Sequence, residues 1–220
     1  LKGIQSKANV LTLSATPIPR TLHLAMLGVR HISILATAPA NRLPIKTVVT
    51  KFNETIIRDA ITNEIQRGGQ IFFLHNRVEE LQQISALIKQ LVPLASCGVA
   101  HGQMKESQLE ETFLNFLDHR FQILICTTII ESGIDMPNVN TLIVNQAERF
   151  GLAQLYQIRG RVGRSSTQAY AFFLSTHEEQ TNKTARRRLD ILASHQNLGS
   201  GFQIAQYDME IRGVGDLLGR

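Results

Sequence analysis

Gly69-Gln70-Ile71-Phe72-Phe73-Leu74-His75-Asn76-Arg77-Val78-Glu79 is the stretch whose reading decides the fold of this chain of 220 residues. Ile71 to Leu74 form an unbroken apolar run, as expected of a strand covered on both faces. Upstream, Ile56, Ile57, Ala60, Ile61 and Ile65 recur at helical spacing, and Gly68-Gly69 end that helix. Downstream, Asn76 precedes Glu79 by three residues, a candidate N-cap with its returning carboxylate. Val78, Leu81, Ile84, Leu87, Ile88 and Leu91 then mark an amphipathic helix closed before Pro93.

Working outward, the same alternation continues. Residues 45–52, 97–100, 122–126, 141–144 and 169–174 are strand candidates, with Leu109, Phe113, Phe116 and Leu117 as a helical stripe among them. Strands alternating with helices predict an α/β fold, a parallel sheet flanked by helices. Ligands bind beyond the carboxyl ends of such strands. The rule points to His75-Asn76, His101-Gly102, Thr127-Thr128 and the loop before Gly151. Residues 1–43 read as the end of a preceding unit. A strand end at 10–13 leads to Ser14-Ala15-Thr16, Pro17 and Pro19 force a turn, and Gly28 stops a helix over 21–27. A strand is possible over 31–35, and the proline-bearing stretch 37–44 is a linker. The second unit spans 44–175. In the third, 176–220, Thr176 and Glu179 offer a capping box, and Ala185, Leu189, Leu192 and Ala193 form an apolar face. Gly199-Ser200-Gly201 break this helix before an antiparallel one over 202–211. Gly213, Gly215 and Gly219 predict a terminal loop.

The net charge of +5 favours a polyanionic partner. Cys97 and Cys126 are far apart and form no CxxC, which argues against a disulfide scaffold or zinc site and fits a reducing cytosol. The seven histidines show no metal-ligand spacing. No apolar run is long enough to span a membrane. The chain opens at Leu1 and closes on Gly219-Arg220, which predicts a piece of something longer.

Phosphate chemistry is written most plainly in Gln154 to Ser165. Arg159, Arg161 and Arg164 fall within six residues, with Gly160 and Gly163 between them. A helix continued through Gln157 puts Gln157, Arg161 and Arg164 on one face. Guanidinium forks match phosphate oxygens, and the glycines admit a close neighbour. The bland alternative is a solvated basic helix end. Thr127-Thr128 at a strand end offer hydroxyls and amides to a phosphate, Gly133 allows close approach, and Asp135 can hold an arginine or a ribose hydroxyl. An ordinary polar cap explains them equally well. His101-Gly102 can seat a backbone phosphate or simply turn the chain, and Arg188 is by default part of a solvated helix face.

Taken in order, these pieces resemble the second motor lobe of superfamily 2 helicases and translocases, a RecA-like helicase C-terminal lobe. Ser14-Ala15-Thr16 is similar to motif III, Phe72 to Arg77 to motif IV, Thr127 to Asp135 to motif V, and Gln157 to Arg164 to motif VI. Arg188, Asp208, Glu210-Ile211-Arg212-Gly213 and Gly215-Asp216-Leu217-Leu218-Gly219 resemble the translocation motif shared by the RecG and Mfd families. The stretches Pro39 to Thr47, Gly68-Gly69-Gln70, His75 to Glu79 and Asn197 to Phe202 look more like the Mfd family, the bacterial transcription-repair coupling factors.

The resemblance implies ATP-driven movement along double-stranded DNA, independent of base sequence. ATP and Mg²⁺ would be held mainly by a first motor lobe, since neither GxxxxGK[ST] nor an Asp-Glu pair ahead of Ser14 occurs here. Arg161 and Arg164 would reach the γ-phosphate as catalytic arginines, with Gly133, Asp135 and Gln157 completing the nucleotide side. His101, Gly102, Thr127 and Thr128 would hold the DNA backbone. Ser14, Thr16, Arg188 and Arg212 would couple nucleotide state to movement. The implied partners are RNA polymerase and excision-repair proteins, through parts outside this stretch, in the bacterial cytoplasm. A RecG-type remodeller of branched DNA is the alternative enzyme, and a non-catalytic DNA-binding or docking module the alternative of another class.

Overall fold

The computed structural model describes Ser33 and residues 42–131, 136–176 and 183–216. The expectations for 10–13, 14–16, 21–28, most of 31–41, 132–135, the Glu179 end of the capping box and the tail at 217–220 lie outside these residues. Six strands form one parallel sheet: β1 (Lys46–Lys51), β2 (Gln70–Leu74), β3 (Cys97–Ala100), β4 (Ile123–Cys126), β5 (Val139–Asn145) and β6 (Tyr170–Ser175). The order across the sheet is β1-β6-β5-β2-β4-β3. Helices α1 (Glu54–Gln66), α2 (Leu81–Leu91), α3 (Glu106–Leu117) and α4 (Leu152–Arg159) fall between strands, and α5 (Lys183–Ser194) and α6 (Gly201–Asp216) follow β6. The apolar runs of the sequence are thus the central strands, and β2, β4 and β5 are buried along their whole length.

Alternation along each strand divides the core into two layers. Ile71, Phe73, Ile123, Ile125 and Ile143 pack with Ile57, Ile61, Leu81 and Ile88 of α1 and α2. Phe72, Leu74, Leu124, Leu142, Val144 and Phe173 face Phe113 and Phe116 of α3, Leu155 and Ile158 of α4, Leu189 and Leu192 of α5 and Ile204 of α6. The terminal helical pair therefore shares a core with the sheet.

Local chemistry sets the element ends. Asn53 caps α1, its side chain accepting from the amides of Thr55 at 2.9 Å and Ile56 at 3.2 Å. Gly68, at φ 76°, closes that helix as expected. The cap expected from Asn76 and Glu79 does not form. A single 3₁₀ turn, Val78–Glu80, comes first, with Arg77 and not Asn76 at its N-cap position; Glu80 then stands at the N-cap of α2, but its carboxylate binds His75 and Arg77 and caps no amide. The loop expected at Gly213 and Gly215 is also corrected, since α6 runs through both to Asp216. A glycine costs a helix about 1 kcal/mol relative to alanine. The preceding turns, anchored by buried Ile204, Ala205 and Asp208, carry the helix past that cost.

Phe73 is fully buried at the centre of β2. Phe73→Ala is expected to lower unfolding stability by roughly 3–5 kcal/mol in a urea titration.

Candidate functional site

The register of the sheet brings two predicted pairs together. Ala100 on β3 and Leu74 on β2 both align with Cys126 on β4. The next residues, His101, His75 and Thr127, consequently stand side by side at the carboxyl edge. Backbone bonds fix them: the Thr127 amide donates to Ala100 O at 3.3 Å and the His75 amide to Cys126 O at 2.9 Å. Thr127 is buried, Thr128 and His101 are half-buried, and Gly102 is exposed. A Cβ on Gly102 would meet only Ile129 Cγ2, at an ordinary 3.6 Å, so packing within the chain does not demand this glycine. Hydroxyl, imidazole and backbone groups in a row are chemically suited to phosphate oxygens.

The arginine loop lies at the opposite end of the strands. The helix expected to carry Gln157, Arg161 and Arg164 on one face stops at Arg159, with Gly160 as its cap residue. The Arg161 amide bonds Ile158 O in a tighter turn, and Gly163 then takes φ 71°. A Cβ on Gly163 would lie 2.9 Å from Ala169 Cβ and 3.2 Å from Ile45 Cγ1, residues just ahead of β6 and β1. Its carbonyl accepts from Arg42 Nε at 3.2 Å, and Ser165 Oγ donates to Asn140 Oδ1 at 3.2 Å. Close packing against the amino ends of the strands, not access for a ligand, is what requires Gly163. Gln157 and Arg164 are exposed and Arg161 half-buried.

The third arginine has a different job. Arg159 is 4% exposed. It donates through Nη1 to Thr47 Oγ1 at 3.2 Å and Leu192 O at 3.0 Å, and through Nη2 to His195 O at 2.7 Å. Its guanidinium also lies 4.9 Å from the centre of the Tyr156 ring. Burial pushes its pKa down from the ordinary arginine value, but a guanidinium starts far enough above neutrality to stay charged. The charge is compensated by carbonyls at the end of α5, where a helix leaves its last acceptors unpaired and its dipole is negative. Nearby, Arg188 on α5 donates through Nη2 to Glu148 O at 2.9 Å. Arg212 lies within the helical span of α6.

A model of the helicase conserved C-terminal domain matches residues 53–166. The chain belongs to that family. Its parallel sheet wrapped by helices is the RecA-like C-terminal lobe of helicases. The helicase C-terminal domain described here is 55% identical over 219 residues to the transcription-repair-coupling factor of Myxococcus xanthus, covering all of this chain and 18% of that protein. Against the transcription-repair-coupling factor of Escherichia coli the figures are 50% over 219 residues, all of this chain and 19% of that protein. The chain thus spans about a fifth of the length of the curated relatives it matches. Among solved structures, RecG bound to a three-way DNA junction aligns with a TM-score of 0.76 at 31% identity, over 96% of this chain and 29% of that chain.

Of the residues singled out in the sequence of this helicase domain, Ser14, Thr16, Gly133 and Asp135 lie outside the described residues. Among the described residues no group of three or more His, Cys, Asp or Glu is placed to hold a metal ion, and no helix is long and apolar enough to cross a membrane. Burial holds the Cys97 thiol up at about 11 and pushes Cys126 higher still, so neither is a ready nucleophile.

Two functional-looking features escaped the sequence reading. Arg159 was one of three similar arginines, yet it stands four residues after Leu155 and seven after Leu152, on the buried stripe of α4. For His75 the sequence marks a strand end and a motif-like stretch but not the hydrogen bonds that the buried ring makes. Fully buried, it accepts at Nδ1 from Asn145 Nδ2 at 3.2 Å and donates from Nε2 to Glu80 Oε2 at 2.8 Å, which assigns the neutral Nε2–H tautomer. Burial is the leading cause that lowers its pKa below the usual histidine value, with the Glu80 bond opposing. The unfolded chain then binds this proton more readily, so the contribution to stability is full above about pH 6.5 and declines as pH falls towards the folded value.

Arg159→Ala is expected to lower stability by at least about 2 kcal/mol in denaturant unfolding, with early amide exchange in α5, because the carbonyls of Leu192 and His195 lose their donor. In a ¹H–¹⁵N titration, the His75 ring is expected to take up its second proton only at a pH below the usual histidine value of about 6.5.

Proposed function

We propose that this chain is the second motor lobe of an ATP-dependent translocase acting on double-stranded DNA. Residues 1–43 would end a first motor lobe, 44–175 form the second lobe, and 176–220 form a translocation hairpin. The alignment of His101-Gly102 and Thr127-Thr128 at one strand edge, in a helicase C-terminal domain, is the observation that carries this reading. These residues would grip successive phosphates through hydroxyl, imidazole and backbone groups, leaving base edges unread.

On the nucleotide side, ATP hydrolysis would supply the free energy for movement, with Mg²⁺ and the phosphates held mainly by the first lobe. A half-buried Arg161 and an exposed Arg164 fit a role at a surface completed by another lobe. Their guanidinium groups would stabilise charge developing on the γ-phosphate, and Gln157, Gly133 and Asp135 would orient that contact. Ser14, Thr16, Arg188 and Arg212 would pass nucleotide state to the DNA-holding elements. In the whole protein the motor would act on RNA polymerase and excision-repair proteins through other regions, in the bacterial cytoplasm. The 50–55% identity to transcription-repair-coupling factors, against 31% to RecG, supports this over branched-DNA remodelling.

Arg161→Ala in the full-length protein is expected to retain ATP binding while ATPase activity falls by about 10³-fold or more. Unchanged ATPase activity would remove Arg161 from the catalytic role. Duplex binding is expected to be indifferent to base sequence and to weaken steeply with salt. A strong preference for one sequence would count against the phosphate grip.

A further inference from the structure

The turn after β5 leaves the carboxyl edge beside His75, away from the arginine loop, and bonds both to the rim and to α5. Gln146 adopts φ 53° and ψ 48°, a left-handed conformation sparsely used by residues other than glycine. A 3₁₀ turn, Ala147–Arg149, follows at once and leads into α4. Such backbone strain persists only where the surroundings over-determine it.

On the rim side, Asn145 Oδ1 accepts from the Gln146 amide at 3.0 Å, and Asn145 Nδ2 donates to His75 Nδ1. His75 passes the chain to Glu80, whose other oxygen accepts from Arg77 Nη1 at 2.7 Å. On the hairpin side, Glu148 O accepts from Arg188 of α5, and the Glu148 carboxylate accepts from Thr176 Oγ1 at 2.7 Å. Polar contacts therefore lead from exposed Arg77, beside the phosphate rim, to the start of the turn, and others lead from Glu148 to the first helix of the hairpin, with the backbone of residues 146–148 joining the two sets.

We propose that this turn is the junction between the DNA-holding rim and the helical hairpin, with His75 as the positioning residue that ties the rim to it. The inference rests on the functional reading above, which gives the rim to DNA and a coupling role to Arg188. His75 suits the task because its two nitrogens do opposite things. One accepts from the turn and the other donates to Glu80, so the imidazole spans two elements that have no backbone link. Leu74 and Val144 are paired in the sheet, which sets the ring between them at the strand ends. The charged groups around it are Glu80 and Arg77 on its own side and Arg149 from the turn. Spatial continuity alone does not establish coupling, so the test is a coupling measurement.

In the full-length protein, displacement of a triplex-forming oligonucleotide from duplex DNA is timed for His75→Leu, Arg188→Ala and the double variant. Independent sites multiply their penalties. The expected result is that each single variant slows displacement and that the double variant is at least about threefold faster than the product predicts. His75→Gln, which keeps one acceptor and one donor, is expected to restore most of the rate. Should His75→Leu fail to fold, the same cycle is run with Glu80→Ala, whose side chain is 30% exposed. Multiplicative penalties, or a glutamine variant as slow as the leucine one, overturn the junction alone. An Arg188→Ala protein with undiminished rate overturns both the junction and the coupling role of Arg188.

Discussion

One buried guanidinium ties the end of α5 to α4 and to the first strand of the sheet. Arg159 projects from α4 into a site where Thr47 of β1 and two carbonyls at the end of α5 are its acceptors. A cation is costly to bury unless its donors are used, and those helix-end carbonyls are costly to leave without donors. Each requirement meets the other. The consequence is that α5 cannot shift relative to the sheet without stranding a charge, and the helix that precedes the arginine loop is bolted to the hairpin.

The rest of the candidate machinery hangs from that frame. Level register at β2, β3 and β4 lines up His75, His101 and Thr127 with no loop insertion to position them. At the other end, Gly163 lets the arginine loop fold tightly against Ile45 and Ala169, which pins the base of Arg161 and Arg164 while leaving them at the surface. Gly98 makes a comparable close contact: a Cβ there would lie 2.2 Å from the Phe121 ring, which stacks on Phe116 in the core.

Much of this was legible in the chain itself. Continuous apolar runs located the central strands because a parallel sheet hidden on both faces leaves no polar alternation to blur them. The strand-end pairs followed from the α/β rule. What stayed hidden depended on which partner a polar group finds. Glu80 is the clearest case, since no spacing rule reveals that its carboxylate serves His75 instead of a helix cap. Arg159, Arg161 and Arg164 look alike as residues, and only the buried stripe of Leu152, Leu155 and Ile158 separates the first from the others. The length of α6 was misread because local glycine signals lost to tertiary packing.

The separation of the strand-end rim from the arginine loop has a mechanical meaning. The strands act as struts: β5, with seven residues, is about 23 Å long at the usual rise. Being hydrogen-bonded on both sides and buried throughout, it does not stretch or bend appreciably. A group grasped at one edge and a group grasped at the other are therefore held at nearly constant distance. A tilt of about 5° pivoting at the arginine edge would sweep the threonine edge through about 2 Å over that strut length, without any rearrangement inside the lobe.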